Sequence, residues 1–306
     1  MTTVATQAEI SSLLHATMQI DLCTRQQAEQ RIDELKVLPG FASSLCHLAL
    51  DAAGTTPAVR QLAAVVLKQF IKRHWEEWDD DEEPMPQAQH GPSITICDDE
   101  KAAIRAALPS GLADPSTRLR TAVSMAIAGI AQWDWPEQWP SLMRELVAPL
   151  QAATVGQADA SDGGGASSAA VAGALRCLEL CAAELQEEHV GEALGSLMPL
   201  LLALVNAPTP HPRRERARAV RVLHKLLERM CTLCSDEPGV RRLQKSPLLS
   251  SWVQAALGIL EASAASSPAT TAECSLEMAS LRLLRRSHAR VSTPRALPAT
   301  QRGLKP

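Results

Sequence analysis

The stretch Val59-Arg60-Gln61-Leu62-Ala63-Ala64-Val65-Val66-Leu67-Lys68-Gln69-Phe70-Ile71-Lys72-Arg73-His74-Trp75 decides the fold. Val59, Leu62, Ala63, Val66, Leu67, Phe70, Ile71 and His74 recur at steps of three and four, which lays a single apolar stripe along a helix. Thr56-Pro57 just ahead supplies a cap and a proline at the first helical position, where the missing N–H costs nothing. The same stripe returns in Leu119, Ala122, Val123, Ala126, Ile127, Ile130 and Ala131, behind Asp114-Pro115, which reads as the same kind of start.

Working outward, Thr6/Glu9 and Thr24/Gln27 form capping boxes that open two earlier helices, and Pro39-Gly40 closes the second. Further helices are expected at 41–52, 98–108, 139–150, 166–186, 192–206, 213–234, 248–262 and 273–287. With 49 Ala, two Phe and no Tyr in 306 residues, the composition favours helix and nearly excludes a β-sandwich. Short helices in pairs cannot bury their apolar faces alone, so neighbouring pairs must stack. The expected fold is all-α, a solenoid of HEAT-type helical pairs with about six repeats.

The expected organisation has three parts. Residues 1–150 hold the first repeats, with an acidic loop inserted at 76–93. Residues 166–287 hold further pairs, beyond a Gly/Ser/Ala-rich stretch, and 288–306 form a basic, proline-containing tail expected to be disordered. A polar capping repeat is not visible at the end, the pattern of a truncated array.

Charge narrows the partners. Residues 279–306 carry seven Lys or Arg and no acid, leaving 23 basic against 34 acidic side chains in the first 278. An acidic body argues against direct nucleic-acid binding, and it suits a receptor for basic proteins or serves only to keep the chain soluble. The N-terminus lacks a signal-peptide pattern, and Leu194 to Val205 is too short to span a bilayer, so no membrane insertion and an intracellular location are expected. Eight Cys then read as reduced thiols. Cys177, Cys181, Cys231 and Cys234 could form a zinc site, but the second pair sits in an apolar helical pattern without a knuckle turn, and no metal is assigned. Neither G-x-S-x-G nor H-E-x-x-H occurs. No catalytic residue and no cofactor are assigned, and the chain is read as a non-enzyme.

Four features remain as binding candidates. The acidic run Glu76, Glu77, Asp79, Asp80, Asp81, Glu82 and Glu83, broken by Trp78, fits a clamp for basic cargo with an apolar anchor, or a solvated loop. The helix with Arg213, Arg214, Arg216, Arg218, Arg221, Lys225 and Arg229 reads as a solvated face or a contact for an acidic partner. Opposite the apolar stripes, Gln61, Val65, Lys68 and Lys72 on one helix and Thr117, Thr121, Ser124 and Ala128 on the other are placed outward. Between helices, Trp133-Asp134-Trp135-Pro136-Glu137-Gln138-Trp139-Pro140 reads as a rigid elbow whose rings must pack.

Two of these stretches carry a resemblance. Arg60, Ala63, Leu67, Lys68, Gln69, Ile71 and Trp75 match a pattern of the importin-β N-terminal domain. Asp134, Pro136, Trp139 and Pro140 match the same family's D-x-P-x-x-W-P signature, preceded by Ser124, Ala126, Ile127 and Ile130. The chain therefore resembles an importin-β (karyopherin-β) nuclear transport receptor over about residues 5–150, and more loosely over 170–262. The resemblance implies binding of the GTPase Ran in its GTP state through the second helix of each pair, and so assigns Gln61, Val65, Lys68, Lys72, Thr117, Thr121 and Ser124 to that contact. It further implies basic cargo such as histones or ribosomal proteins, contact with nucleoporins, and shuttling between cytoplasm and nucleus. The rival reading is a HEAT-repeat scaffold that does not bind Ran.

Overall fold

A computed structural model of the chain describes residues 6–76, 94, 96–154, 164–184, 187–206, 213–233, 250, 251, 254 and 257. Apart from those last four positions, the helices expected at 248–262 and 273–287 and the tail at 288–306 lie outside the described residues, as do 77–93 of the acidic loop. The regular elements described are all helical: α1 (Gln7–Thr17), α2 (Leu22–Leu35), α3 (Phe41–Leu50), α4 (Pro57–His74), α5 (Asp98–Ala107), a 3₁₀ turn (Leu108–Ala113), α6 (Thr117–Asp134), α7 (Leu142–Thr154), α8 (Gly164–Glu184), α9 (Glu187–Asn206) and α10 (Arg213–Leu233). Among them, no helix is long and apolar enough to cross a membrane.

Helix starts follow local chemistry, with two corrections. Thr6 caps α1, its hydroxyl accepting the Glu9 N–H at 3.4 Å, as expected. The start of α2 lies earlier than the Thr24 box implied. Asp21 is the cap and accepts the Thr24 N–H at 2.7 Å, while the Thr24 hydroxyl donates to the same carboxylate. For α6 the cap is Ser116, which accepts from the Leu119 N–H, and not Asp114. Proline does begin α4, behind an extended Thr56.

A third start depends on another pair. Gly40 precedes α3 with φ of 83°, a left-handed conformation that glycine adopts without a Cβ clash. It offers no side chain as a cap. Glu100 of α5 takes that role, accepting from the N–H groups of Gly40 and Ser43 at 3.1 and 2.8 Å.

The helices form two compact units, Met1–Leu185 and Gln186–Pro306. In the first, α1 pairs with α2, α3 with α4, and α7 with α8. The first helices α1, α3 and α5 lie in one row, and the second helices α4, α6 and α8 in another. This is the stacked arrangement of HEAT-type pairs. In the second unit α9 packs on α10.

The core runs between the two rows. Phe41 meets Phe70 edge to face at 5.2 Å between ring centres, and Leu45, Leu67, Ile71, Ile127, Ile130, Leu146, Leu150 and Leu175 are buried along the stack. Each such side chain contributes about 1.5–3 kcal/mol on burial. Small residues set the spacing at α8. A Cβ on Gly173 would stand 2.1 Å from the carbonyl oxygen of Leu112, so only glycine lets α8 lie this close to the 3₁₀ turn.

Candidate functional site

Two buried charged groups decide how α4 and α6 lie together. At the start of α4, Arg60 turns inward. Its Nε donates to the Ala49 carbonyl at 3.0 Å and its terminal nitrogen pairs with Asp114, just ahead of α6. Both side chains are nearly removed from solvent. Asp114 also accepts from the Ser116 N–H at 2.7 Å. At the far end, Trp75 follows α4 and donates its indole N–H to Asp134, the last residue of α6, at 3.0 Å. Arg105 of α5 pairs with the other oxygen of the same buried carboxylate. Start is tied to start and end to end, so the two helices run side by side in the same direction.

The elbow after α6 belongs to this lock. The backbone carbonyl of Asp134 accepts from the N–H groups of Gln138 and Trp139 at 2.8 and 2.9 Å. Trp139 is buried and Trp135 half-buried, but Trp133 is 49% exposed, so one of the three rings does not pack as anticipated. The ammonium of Lys101 lies 5.5 Å from the centre of the Trp75 ring and pairs with Glu76 at 3.2 Å.

The poles left uncovered form the candidate partner-binding face. On α4, Gln61, Val65 and Lys68 are half-exposed and Lys72 is exposed, with Gln69 beside them. On α6, Thr117 is exposed and Thr121 half-exposed, its hydroxyl turned back onto the Thr117 carbonyl at 2.8 Å. Ser124 is a correction. It is fully buried, donates to the Arg120 carbonyl at 2.7 Å, and its own carbonyl faces the Cys177 thiol of α8. The outward line on α6 is turned away from α8 and runs through Arg118, Thr121, Met125 and Gln132. Met125, at 40% exposure, was missed because a methionine near an apolar stripe reads as core.

The acidic clamp is reached only at its first residue. Glu76 is half-buried and held by Lys101, so it is not a spare charge for cargo. Glu77, Trp78, Asp79, Asp80, Asp81, Glu82 and Glu83 lie outside the described residues. Of the four cysteines weighed for zinc, Cys177 and Cys181 are buried with their sulfurs 3.9 Å apart, and Cys234 lies outside the described residues. Burial, with the second thiol beside it, pushes the Cys177 thiol well up, and burial alone raises Cys46 to about 12, so both are protonated at neutral pH. No group of three or more metal-ligating side chains gathers among the described residues.

These features define a class, a stacked helical-pair protein whose second helices are locked parallel with one face left open. Residues 28–114 match the family model of the Importin-beta N-terminal domain. Importin-9 of Drosophila melanogaster is 25% identical over 240 residues, 78% of this chain and 21% of that protein. Two solved structures share the fold. Kap95p, described as inducing the GTP-bound conformation of the RanGDP switch loops, has a TM-score of 0.64 at 15% identity, covering 95% of this chain and 30% of that one. The Kap95:Nup1 complex gives 0.59 at 16% identity, covering 97% and 37%. The chain therefore resembles the importin-β family, most firmly over residues 28–114, and spans 21% of the length of that importin-9.

Proposed function

We propose that this chain serves a nuclear transport receptor, binding Ran in its GTP state through the open face of α4 and α6. In this reading residues 1–150 carry the Ran contact, and 166–287 extend the array. The receptor moves between cytoplasm and nucleus, meets nucleoporins on the way, and carries basic proteins such as histones or ribosomal proteins. Beyond Glu76, which Lys101 already holds, the acidic segment from Glu77 to Glu83 contributes charge toward that cargo. No enzymatic step is assigned.

One observation carries the proposal. The lock formed by Arg60–Asp114 and Trp75–Asp134 aligns two uncovered helix poles into one continuous surface. That surface offers small side chains for close approach, an apolar Val65 and Met125, and the Lys68 and Lys72 ammonium groups for steering. Kap95p, which shares the fold, acts on Ran as described above.

Capture of Ran loaded with GTP against Ran loaded with GDP tests the reading. Preferential capture of the GTP form, lost in Lys68→Glu with Lys72→Glu, is the expected result. Equal capture of both forms, or none, favours the scaffold. Histone capture that survives deletion of 76–83 removes the acidic segment from the cargo site.

A further inference from the structure

Gly129 stands in the interior of α6, and nothing among the described residues asks for a glycine there. α6 is a regular helix through that position, so no left-handed backbone is required. A Cβ at 129 would meet Ile71 Cγ2 of α4 at 3.7 Å, an ordinary van der Waals contact. Gly173 and Gly111 differ. There a Cβ would stand 2.1 Å from the Leu112 carbonyl oxygen and 2.7 Å from a Leu50 methyl. Alanine would therefore fit at 129, and it would strengthen the helix, because glycine is among the poorest formers in a helix interior. The chain gives up that stability at a half-exposed position.

The surroundings of Gly129 are apolar and open. Met125 stands four residues before it and Trp133 four after, which sets the three on one line along the helix. Both flanking side chains are exposed. Two large apolar groups thus border a position that has no side chain, and the result is a notch. From Met125 to Trp133 it runs about 12 Å at the rise of an α-helix. Its level on α4 is fixed by Ile71, which lies beside Gly129, so the exposed Lys72, next in the chain, stands at the same height. The notch therefore opens where the two uncovered helix poles meet.

Glycine is the residue that lets another backbone come close, and exposed tryptophan and methionine are types enriched where protein interfaces concentrate their binding energy. Adjacent strands lie about 4.8 Å apart, so a gap of this width admits one extended segment crossing α6. We infer that Gly129, between Met125 and Trp133, is the anchor notch of the partner-binding face, taking a main-chain segment of the bound GTPase with one apolar side chain held between the two flanking groups. Lys72 beside it favours a segment that also carries an acid. The inference rests on the Ran reading above and adds which residues of that face hold the partner, the lysines serving to steer it.

Titration of GTP-loaded Ran onto the whole chain, together with urea unfolding followed by circular dichroism, tests the notch. Gly129→Ala raises the urea midpoint and weakens binding several-fold. Gly129→Gln keeps a good helix former in place and weakens binding about tenfold or more. Trp133→Ala weakens it to a similar extent, and Trp133→Phe restores part of the loss. Ile20→Ser removes a still more exposed apolar side chain, between α1 and α2, and leaves binding intact. A lower urea midpoint in Gly129→Ala shows that the fold itself needs the glycine and overturns the inference. Unchanged binding in either Gly129 variant or in Trp133→Ala overturns it as well, as does an equal loss in Ile20→Ser. Absence of binding by the unaltered chain, or equal binding of the GTP and GDP forms, removes the Ran reading and the notch with it. Preferential binding of the GTP form that survives Gly129→Gln removes the notch alone.

Discussion

Charge is used in opposite ways in the two compact units. Between α4 and α6 it is inside, paired and fully hydrogen-bonded: Arg60 with Asp114, and Asp134 with Trp75 and Arg105. Along α10 basic side chains outnumber the two glutamates, and Arg218, Arg221, Lys225 and Arg229 are half-exposed. A buried pair contributes little net stability against an apolar substitute, but it penalises any arrangement in which one partner is left alone. It therefore fixes alignment.

That contrast can be broken most severely at Asp134. Asp134→Ala leaves Arg105 without its partner in a half-dry setting and orphans the Trp75 indole, and is expected to cost about 3–5 kcal/mol in urea unfolding. Arg60→Met paired with Asp114→Leu should recover much of what either change alone loses, since the partners go together. A double-mutant cycle that shows simple additivity would mean the pair does not act as a lock. Next in size, Gly173→Ala drives a methyl into the Leu112 carbonyl and should lower stability by about 1–3 kcal/mol.

The exposed faces should respond the other way. Lys68→Glu with Lys72→Glu should change stability by no more than about 0.5 kcal/mol while removing Ran capture. A large loss of stability would show that the two lysines belong to the lock and not to the open face. The smallest effect is expected at His74, which packs on the Phe70 ring at 4.8 Å. Burial lowers its basicity first, and the charges of Arg73 and Lys36 lower it further. A depressed histidine favours the folded state while neutral. Its contribution is present above the ordinary value of 6.5 and is lost as pH falls below it. His74→Gln should flatten the fall in melting temperature on acidification through that window.

Most helices were legible because stripe and punctuation agreed. The expected spans at 41–52, 98–108 and 213–234 match α3, α5 and α10 to within a residue or two. The charged lock was hidden. Periodicity treats every arginine as surface, so Arg60 gave no sign of turning inward, and Asp114 was mistaken for a cap because Asp-Pro is a common start. Its true partner stands 54 residues away, beyond the reach of local patterns. The stripe of each helix, taken alone, marks the open face. That served α4, where Gln61, Val65, Lys68 and Lys72 are all at least half-exposed. It failed at Ser124 because α6 is flanked on both sides, and the approach of α8 widens its covered arc beyond what one stripe indicates.

Glu100 gives the array an order of assembly. Because α3 borrows its cap from a helix that the ribosome makes some sixty residues later, a nascent chain that has emerged only through α4 holds a frayed helix end, short by about 1 kcal/mol. The emergence of α5 would then finish the pair before it.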